Sequence, residues 1–146
     1  MKDKLMAFIK YNRWIYAVYF YVCSLAINIL KLFVRTDDRL ILFSSFGGKK
    51  YDDSPKELYE AICTDERFQK YRCVWAFHRP GDFKDIKLES VKTDTFAYFK
   101  TALKARCWVT NSSMERGLRF KGKRTFYFNT WHGTPIKKMG SDISQD

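Results

Sequence analysis

Residues 125–138 read Thr125-Phe126-Tyr127-Phe128-Asn129-Thr130-Trp131-His132-Gly133-Thr134-Pro135-Ile136-Lys137-Lys138. Phe126, Tyr127 and Phe128 give the core of a buried strand, since aromatic residues favour pleated, covered surfaces. His132 stands where that strand ends. Gly133 lets the backbone turn sharply and approach a ligand closely. Thr134 is a good N-cap, and Pro135 suits a first helical position, where no N–H is needed. The open N–H groups of such a first turn favour an anion, and Lys137 and Lys138 add positive charge. An imidazole that takes a proton near neutral pH, beside an anion site, points to phosphoryl chemistry with His132 as general base. The plainer alternative is a histidine that caps a helix or is bonded within a loop.

The residues upstream decide what kind of sheet this strand joins. Leu40-Ile41-Leu42-Phe43 is a continuous apolar run, as in a strand covered on both faces. Ser44-Ser45-Phe46-Gly47-Gly48-Lys49-Lys50 follows as a small basic loop. Ser54-Pro55-Lys56-Glu57 reads as a capping box that opens a helix through Leu58, Tyr59 and Ile62. Cys73–Phe77 is a second strand, ended by His78-Arg79-Pro80-Gly81, and Leu88–Val91 a weaker third. Asp94 or Thr95 caps a helix with Phe96, Phe99 and Leu103 on its apolar face. Cys107–Thr110 is a fourth strand, leading to Asn111-Ser112-Ser113. Arg116 to Arg124 reads as a solvated basic connection anchored by Leu118 and Phe120. Strands alternating with helices predict an α/β fold: a Rossmann-like, doubly wound parallel sheet. Ligands of such sheets bind beyond the carboxyl ends of the strands. There the sequence places Ser45, Gly47 and Gly48; His78 and Arg79; Asn111 and Ser112; and His132, Gly133 and Thr134.

The chain has 146 residues, room for one modest domain. Its 46% hydrophobic and 18% aromatic content can fill a core and excludes a disordered tail. A net charge of +11 favours anionic partners: an acidic membrane face, phosphorylated substrates or nucleic acid. Nucleic acid is the weakest of these, because no RNP-like or helix-turn-helix pattern occurs. Cys23, Cys63, Cys73 and Cys107 form no C-x-x-C pair and read as reduced, buried thiols. With only His78 and His132 to join them, no metal site is expected.

The first 36 residues stand apart as a hydrophobic, amphipathic helical segment, and residues 37–146 form the α/β domain. Trp14 to Val34 holds only Ser24, Asn28 and Lys31 as strongly polar residues. Lys10, Ser24, Asn28, Lys31 and Arg35 fall on one narrow helical stripe. Basic residues flank both ends, so no inside–outside bias results. A helix lying in the plane of an anionic cytoplasmic leaflet fits this pattern better than a span. A helix packed on its own domain or on a second subunit is the alternative, and a span needs about 20 apolar residues, which are present.

Several short motifs do not match. Ser45-Phe46-Gly47-Gly48-Lys49 lacks the Walker A spacing and the G-x-G-x-x-G of dinucleotide binders. It can still hold a phosphate or a sugar hydroxyl as a strand-to-helix turn, and an ordinary loop reads equally well. Asn111 and Ser112 suit a polyol or a simple cap. His78 beside Arg79 and Pro80 reads as a surface loop residue.

Taken in order, Ile41–Lys49, Ser54-Pro55-Lys56 with Tyr59 and Glu60, Val74–Phe77, Trp108–Ser112 and Thr130–Lys138 resemble the CDP-glycerol glycerophosphotransferase family, the teichoic acid primases and polymerases. The Trp131-His132-Gly133-Thr134-Pro135 block is the most specific part. The resemblance covers roughly residues 39–140. It implies the N-terminal, acceptor-side half of a GT-B fold, peripheral on the cytoplasmic face of the cell membrane. It implies His132 as the base that deprotonates the terminal hydroxyl of a lipid-linked acceptor, which attacks the β-phosphate of CDP-glycerol and expels CMP. Ser45, Gly47, Gly48, Asn111, Ser112, Gly133, Thr134 and Lys137 would line the substrate. No cofactor is identifiable from the residues, and a Mg2+ requirement stays open. The chain stops before any donor-binding half, so the expectation is a fragment that is inactive or nearly so alone. The alternatives are a non-catalytic, membrane-tethered acceptor-binding module and a ribitol-phosphate transferase fragment.

Overall fold

The structure, a computed structural model, describes residues 12–131. Five parallel strands form one sheet in the order β3-β2-β1-β4-β5. They are β1 (Asp37–Ser44), β2 (Arg72–Phe77), β3 (Ser90–Lys92), β4 (Ala105–Thr110) and β5 (Phe126–Asn129). Around the centre Ile41 stands level with Cys73 on one side and Cys107 on the other. The helices are α1 (Arg13–Phe33), α2 (Asp53–Thr64) and α3 (Phe96–Lys104). Short 3-10 turns lie at Phe46–Gly48, Glu66–Phe68 and Pro80–Phe83.

The apolar runs explain the layers. Leu40, Ile41, Leu42 and Phe43 are all buried, because alternate side chains feed two cores. Leu40, Leu42, Val74, Ala76 and Trp108 meet Tyr98, Ala102 and Leu103 of α3 on one face. Ile41, Phe43, Trp75, Phe77 and Val109 meet Leu58, Tyr59 and Ile62 of α2 on the other. Trp108 Nε1 donates to the Ala102 carbonyl at 2.9 Å, which locks α3 to the sheet. The chain runs from β1 outward to β3, then crosses back to β4. The order therefore reverses at β1, between the carboxyl ends of β1 and β4, the place where ligands of open α/β sheets bind.

Several local expectations shift. The cap of α2 is Asp52, whose carboxylate accepts from the Asp53 N–H at 2.9 Å, and Ser54 lies inside the first turn. A carboxylate outcompetes a hydroxyl at the positive end of a helix. Phe96 of α3 is 68% exposed; Tyr98 takes the inward place. β3 begins at Ser90, while Leu88 packs on the α2-side core ahead of it. Among the described residues β5 is an edge strand, not a buried one. Phe126 is 61% exposed and Phe128 43%, and only Tyr127 of its aromatic residues packs inward, against Trp108. Cys63 is exposed, and Cys23, Cys73 and Cys107 are half-buried; all four are free thiols.

The basic connection before β5 is structured. Met114, Leu118 and Phe120 are buried in the α3-side core. Arg116 and Gly117 both have positive φ, and Leu118 N–H closes the bend on the Glu115 carbonyl at 2.9 Å. The Glu115 carboxylate accepts from the N–H groups of Phe120 and Lys121.

α1 is amphipathic with its polar stripe turned inward. Asn28 Nδ2 donates to the Arg119 carbonyl at 2.7 Å. Ser24 Oγ accepts from Arg119 N–H at 3.3 Å, and Lys31 Nζ reaches the Phe120 carbonyl at 3.5 Å. Phe20, Cys23, Ile27, Leu30 and Val34 pack on the core beside these contacts. The other face points away from the body: Trp14 is 82% exposed, and Val18, Tyr21, Val22, Leu25, Ile29, Leu32 and Phe33 are exposed with it. By length and composition α1 is also apolar enough to cross a membrane.

Candidate functional site

Ser45 leaves β1 in an extended conformation, and Phe46 and Gly47 then turn through positive φ. Their backbone N–H groups point at the turn after β4. Phe46 N–H donates to Asn111 Oδ1 at 2.8 Å, and Gly47 N–H donates to Ser112 Oγ at 2.9 Å. Asn111 Nδ2 donates to Asp53 Oδ2 at 2.6 Å and to Ser45 Oγ at 3.3 Å. Both Asn111 and Ser45 are fully buried. The Asn111 amide thus spends both donors and one acceptor on fastening the two turns together, as a buried amide must. Ser112 is braced from behind by the Thr110 hydroxyl.

Gly48 lies on the opposite side of the turn. Its carbonyl accepts from His78 N–H at 2.7 Å, which ties the turn to the end of β2. A Cβ on Gly48, at φ +85°, would lie 2.9 Å from His78 N and from Thr93 Cγ2. Only glycine permits that approach. Arg116 closes the arrangement. Its Nε and Nη2 hold the Asp94 carboxylate at 2.9 and 2.7 Å, and its Nη1 donates to the Gly47 carbonyl at 3.0 Å. The bond to Asp94 pushes the Arg116 guanidinium up from its ordinary value.

β5 comes to the same edge. Thr130 N–H donates to the Thr110 carbonyl at 2.7 Å, and Asn129 Nδ2 and Tyr127 OH both donate to the Ser112 carbonyl. The chain leaves β5 through Trp131, which has φ +58°. His132, Gly133, Thr134 and Lys137 lie outside the described residues. A broad groove of about 940 Å3 runs between α2 and the end of β5, lined by Asp53, Ser54, Glu57, Phe128, Asn129 and Thr130.

The structure therefore brings Ser45, Gly47, Gly48, Asn111 and Ser112 to one edge, with Ser45 and Asn111 turned inward. Asp53, Asp94 and Arg116 join them unforeseen. Asp53 and Asp94 both have positive φ, a conformation that aspartate tolerates better than most residues. A search for aspartates beside strand ends could have found them; nothing local marks Arg116 among its basic neighbours. Among the described residues no three His, Cys, Asp or Glu side chains converge on one point.

A parallel sheet whose order reverses at β1, with polar turns knotted together at that point, defines a Rossmann-like α/β domain. Residues 26–146 match the family described as CDP-Glycerol:Poly(glycerophosphate) glycerophosphotransferase, and the chain belongs to it. It is 37% identical over 108 residues to the teichoic acid poly(glycerol phosphate) polymerase of Staphylococcus epidermidis, a match covering 72% of this chain and 14% of that protein. It is 36% identical over 107 residues to the teichoic acid glycerol-phosphate transferase of Staphylococcus aureus, covering 72% of this chain and 26% of the relative. The solved wall teichoic acid polymerase TagF superposes with a TM-score of 0.65 at 35% identity, over 75% of this chain and 26% of that one. A variant of TagF soaked with CDPG gives the same TM-score. The chain thus spans about a quarter or less of the length of these relatives.

Proposed function

We propose that this domain forms the acceptor-side wall of a glycerophosphotransferase acting in teichoic acid synthesis. One observation carries the reading: the turns after β1 and β4 are locked together by Asn111 and Ser112 at the switch point, and the end of β5 is bonded to that same edge through Thr130. In the reaction, the terminal hydroxyl of a lipid-linked polyol-phosphate acceptor forms a new P–O bond to the β-phosphorus of CDP-glycerol. The bond from that phosphorus to CMP breaks, and the hydroxyl proton passes to His132. Ser45, Gly47, Gly48, Asn111 and Ser112 position the acceptor wall; Gly133, Thr134 and Lys137 supply N–H groups and charge near the phosphate. Ribitol phosphate would suit the same chemistry.

Transfer of this kind draws charge stabilisation from several sides. One wall does not supply it, so the donor must be held by protein beyond this stretch. The outward apolar face of α1 supports a seat on the cytoplasmic leaflet. The polar stripe is fastened to the body at Arg119 and Phe120 over much of the helix, which favours a helix lying along the surface over a span.

The test is CMP release from CDP-glycerol with a lipid-linked acceptor. The chain alone should release almost none, and the chain supplemented in trans with the remaining part of a relative should release it in a His132-dependent way. Turnover that is unchanged in His132→Ala would remove the proposed base, and robust turnover by the chain alone would remove the need for a second part.

A further inference from the structure

Beside Gly48, on the side away from Asn111, a cleft of about 350 Å3 is lined by Gly48, Lys49, His78, Arg79, Asp82 and Phe83. It opens at the carboxyl ends of β1 and β2, between the Phe46–Gly48 and Pro80–Phe83 turns. We propose that this cleft, on the far side of the Phe46–Gly48 turn from Asn111, is a second anion subsite that binds a phosphorylated polyol.

Three features argue for it. The floor is backbone held at fixed distance, because the Gly48 carbonyl is bonded to His78 N–H and no side chain fits on Gly48. A rigid backbone floor is what lets a phosphate come close. The charges are available: among the described residues neither Lys49 nor Arg79 has a carboxylate within ion-pair distance. Arg79 offers a planar fork for two phosphate oxygens, and Lys49 a mobile point charge. The imidazole is oriented: His78 Nδ1 faces the Thr93 hydroxyl at 3.4 Å and the Asp94 carboxylate at 4.0 Å. Asp94 is itself fixed by Arg116. Nε2 is left as the ring nitrogen with no bond among the described residues. Asp82 sets the class of ligand. A carboxylate in the cleft opposes a bare polyanion but accepts hydrogen bonds from the hydroxyls of a polyol. Phe83, stacked on Phe77 with ring centroids 4.1 Å apart, gives the carbon backbone an apolar wall. A phosphate with hydroxyls beside it meets all of these groups.

The identification of the polyol with an acceptor unit rests on the proposed function; the recognition of a phosphorylated polyol does not. The full chain, isotope-labelled, is titrated in separate arms with sn-glycerol 3-phosphate, inorganic phosphate and glycerol, following the amides of Gly48, His78 and Phe83. Glycerol 3-phosphate should shift these amides saturably and glycerol should not. Lys49→Gln with Arg79→Gln should weaken binding about tenfold or more, as loss of two charge-assisted contacts implies. Asp82→Asn should weaken glycerol 3-phosphate and spare inorganic phosphate. All three side chains are exposed, so the variants should keep the amide dispersion of the parent. Shifts that spread over the basic surface without saturating, or equal affinity in the double variant, overturn the proposal. Saturable binding here together with no CMP release from the chain supplemented in trans would retire the enzymatic reading and leave the subsite; transfer in that supplemented assay without phosphate binding at these amides would do the reverse.

Discussion

Gly48 and Asn111 hold the edge by opposite means, one by having no side chain and one by using all of it. Gly48→Ala forces an unfavourable φ and brings a methyl group to 2.9 Å of His78 N. A stability loss of about 2–4 kcal/mol is expected, read by denaturant unfolding. Asn111→Ala takes the acceptor from Phe46 N–H and a hydrogen bond from the Asp53 carboxylate in a fully buried place. The expected loss is about 2–3 kcal/mol, and Asn111→Asp should add repulsion from Asp53 that eases as pH falls. Cys73 gives a pH test of burial. Desolvation, then the neighbouring Cys63, push its thiol from 9.0 up to about 12. The unfolded chain frees that thiol near its ordinary value, so its contribution is fully present below pH 9 and is lost as pH rises toward 12. Unfolding midpoints should therefore fall through that window, and less steeply in Cys73→Ser. Alkylation at neutral pH should label exposed Cys63 well before Cys73.

α1 separates what a helical pattern can and cannot tell. The stripe of Ser24, Asn28 and Lys31 was legible in the spacing, as were the three inner strands in their apolar runs. Which way the stripe faces was not, because its partners are backbone groups of Arg119 and Phe120, about ninety positions away along the chain. An inward polar stripe leaves apolar side chains outward, the reverse of an ordinary surface helix. Val22→Asp with Leu25→Asp should leave thermal unfolding nearly unchanged, since both residues are exposed, yet sharply reduce flotation with anionic liposomes. Equal flotation of variant and parent would count against membrane contact. β5 shows a second limit. Three aromatic residues in a row look buried, but strand position decides burial, and among the described residues β5 has a neighbour only on the β4 side. The edge cluster was readable because serine, glycine and asparagine recur at strand ends. The knot itself was not, because Asn111 meets Phe46 only through the register of β1 against β4.

The chain belongs to the glycerophosphotransferase family and shares an α/β fold with part of TagF, of whose length it covers 26%. The parallel strands put the Asn111 turn, the Gly48 cleft and the exit of β5 along one edge of the sheet. That same side is tied to α1 by one tight bend. Arg116 grips the Gly47 carbonyl, and three positions later Arg119 meets Ser24 and Asn28. So short a link cannot stretch. If α1 lies on lipid, the edge that carries Asn111 rides at a set height above it. The bend would then act as a rigid spacer that fixes this distance.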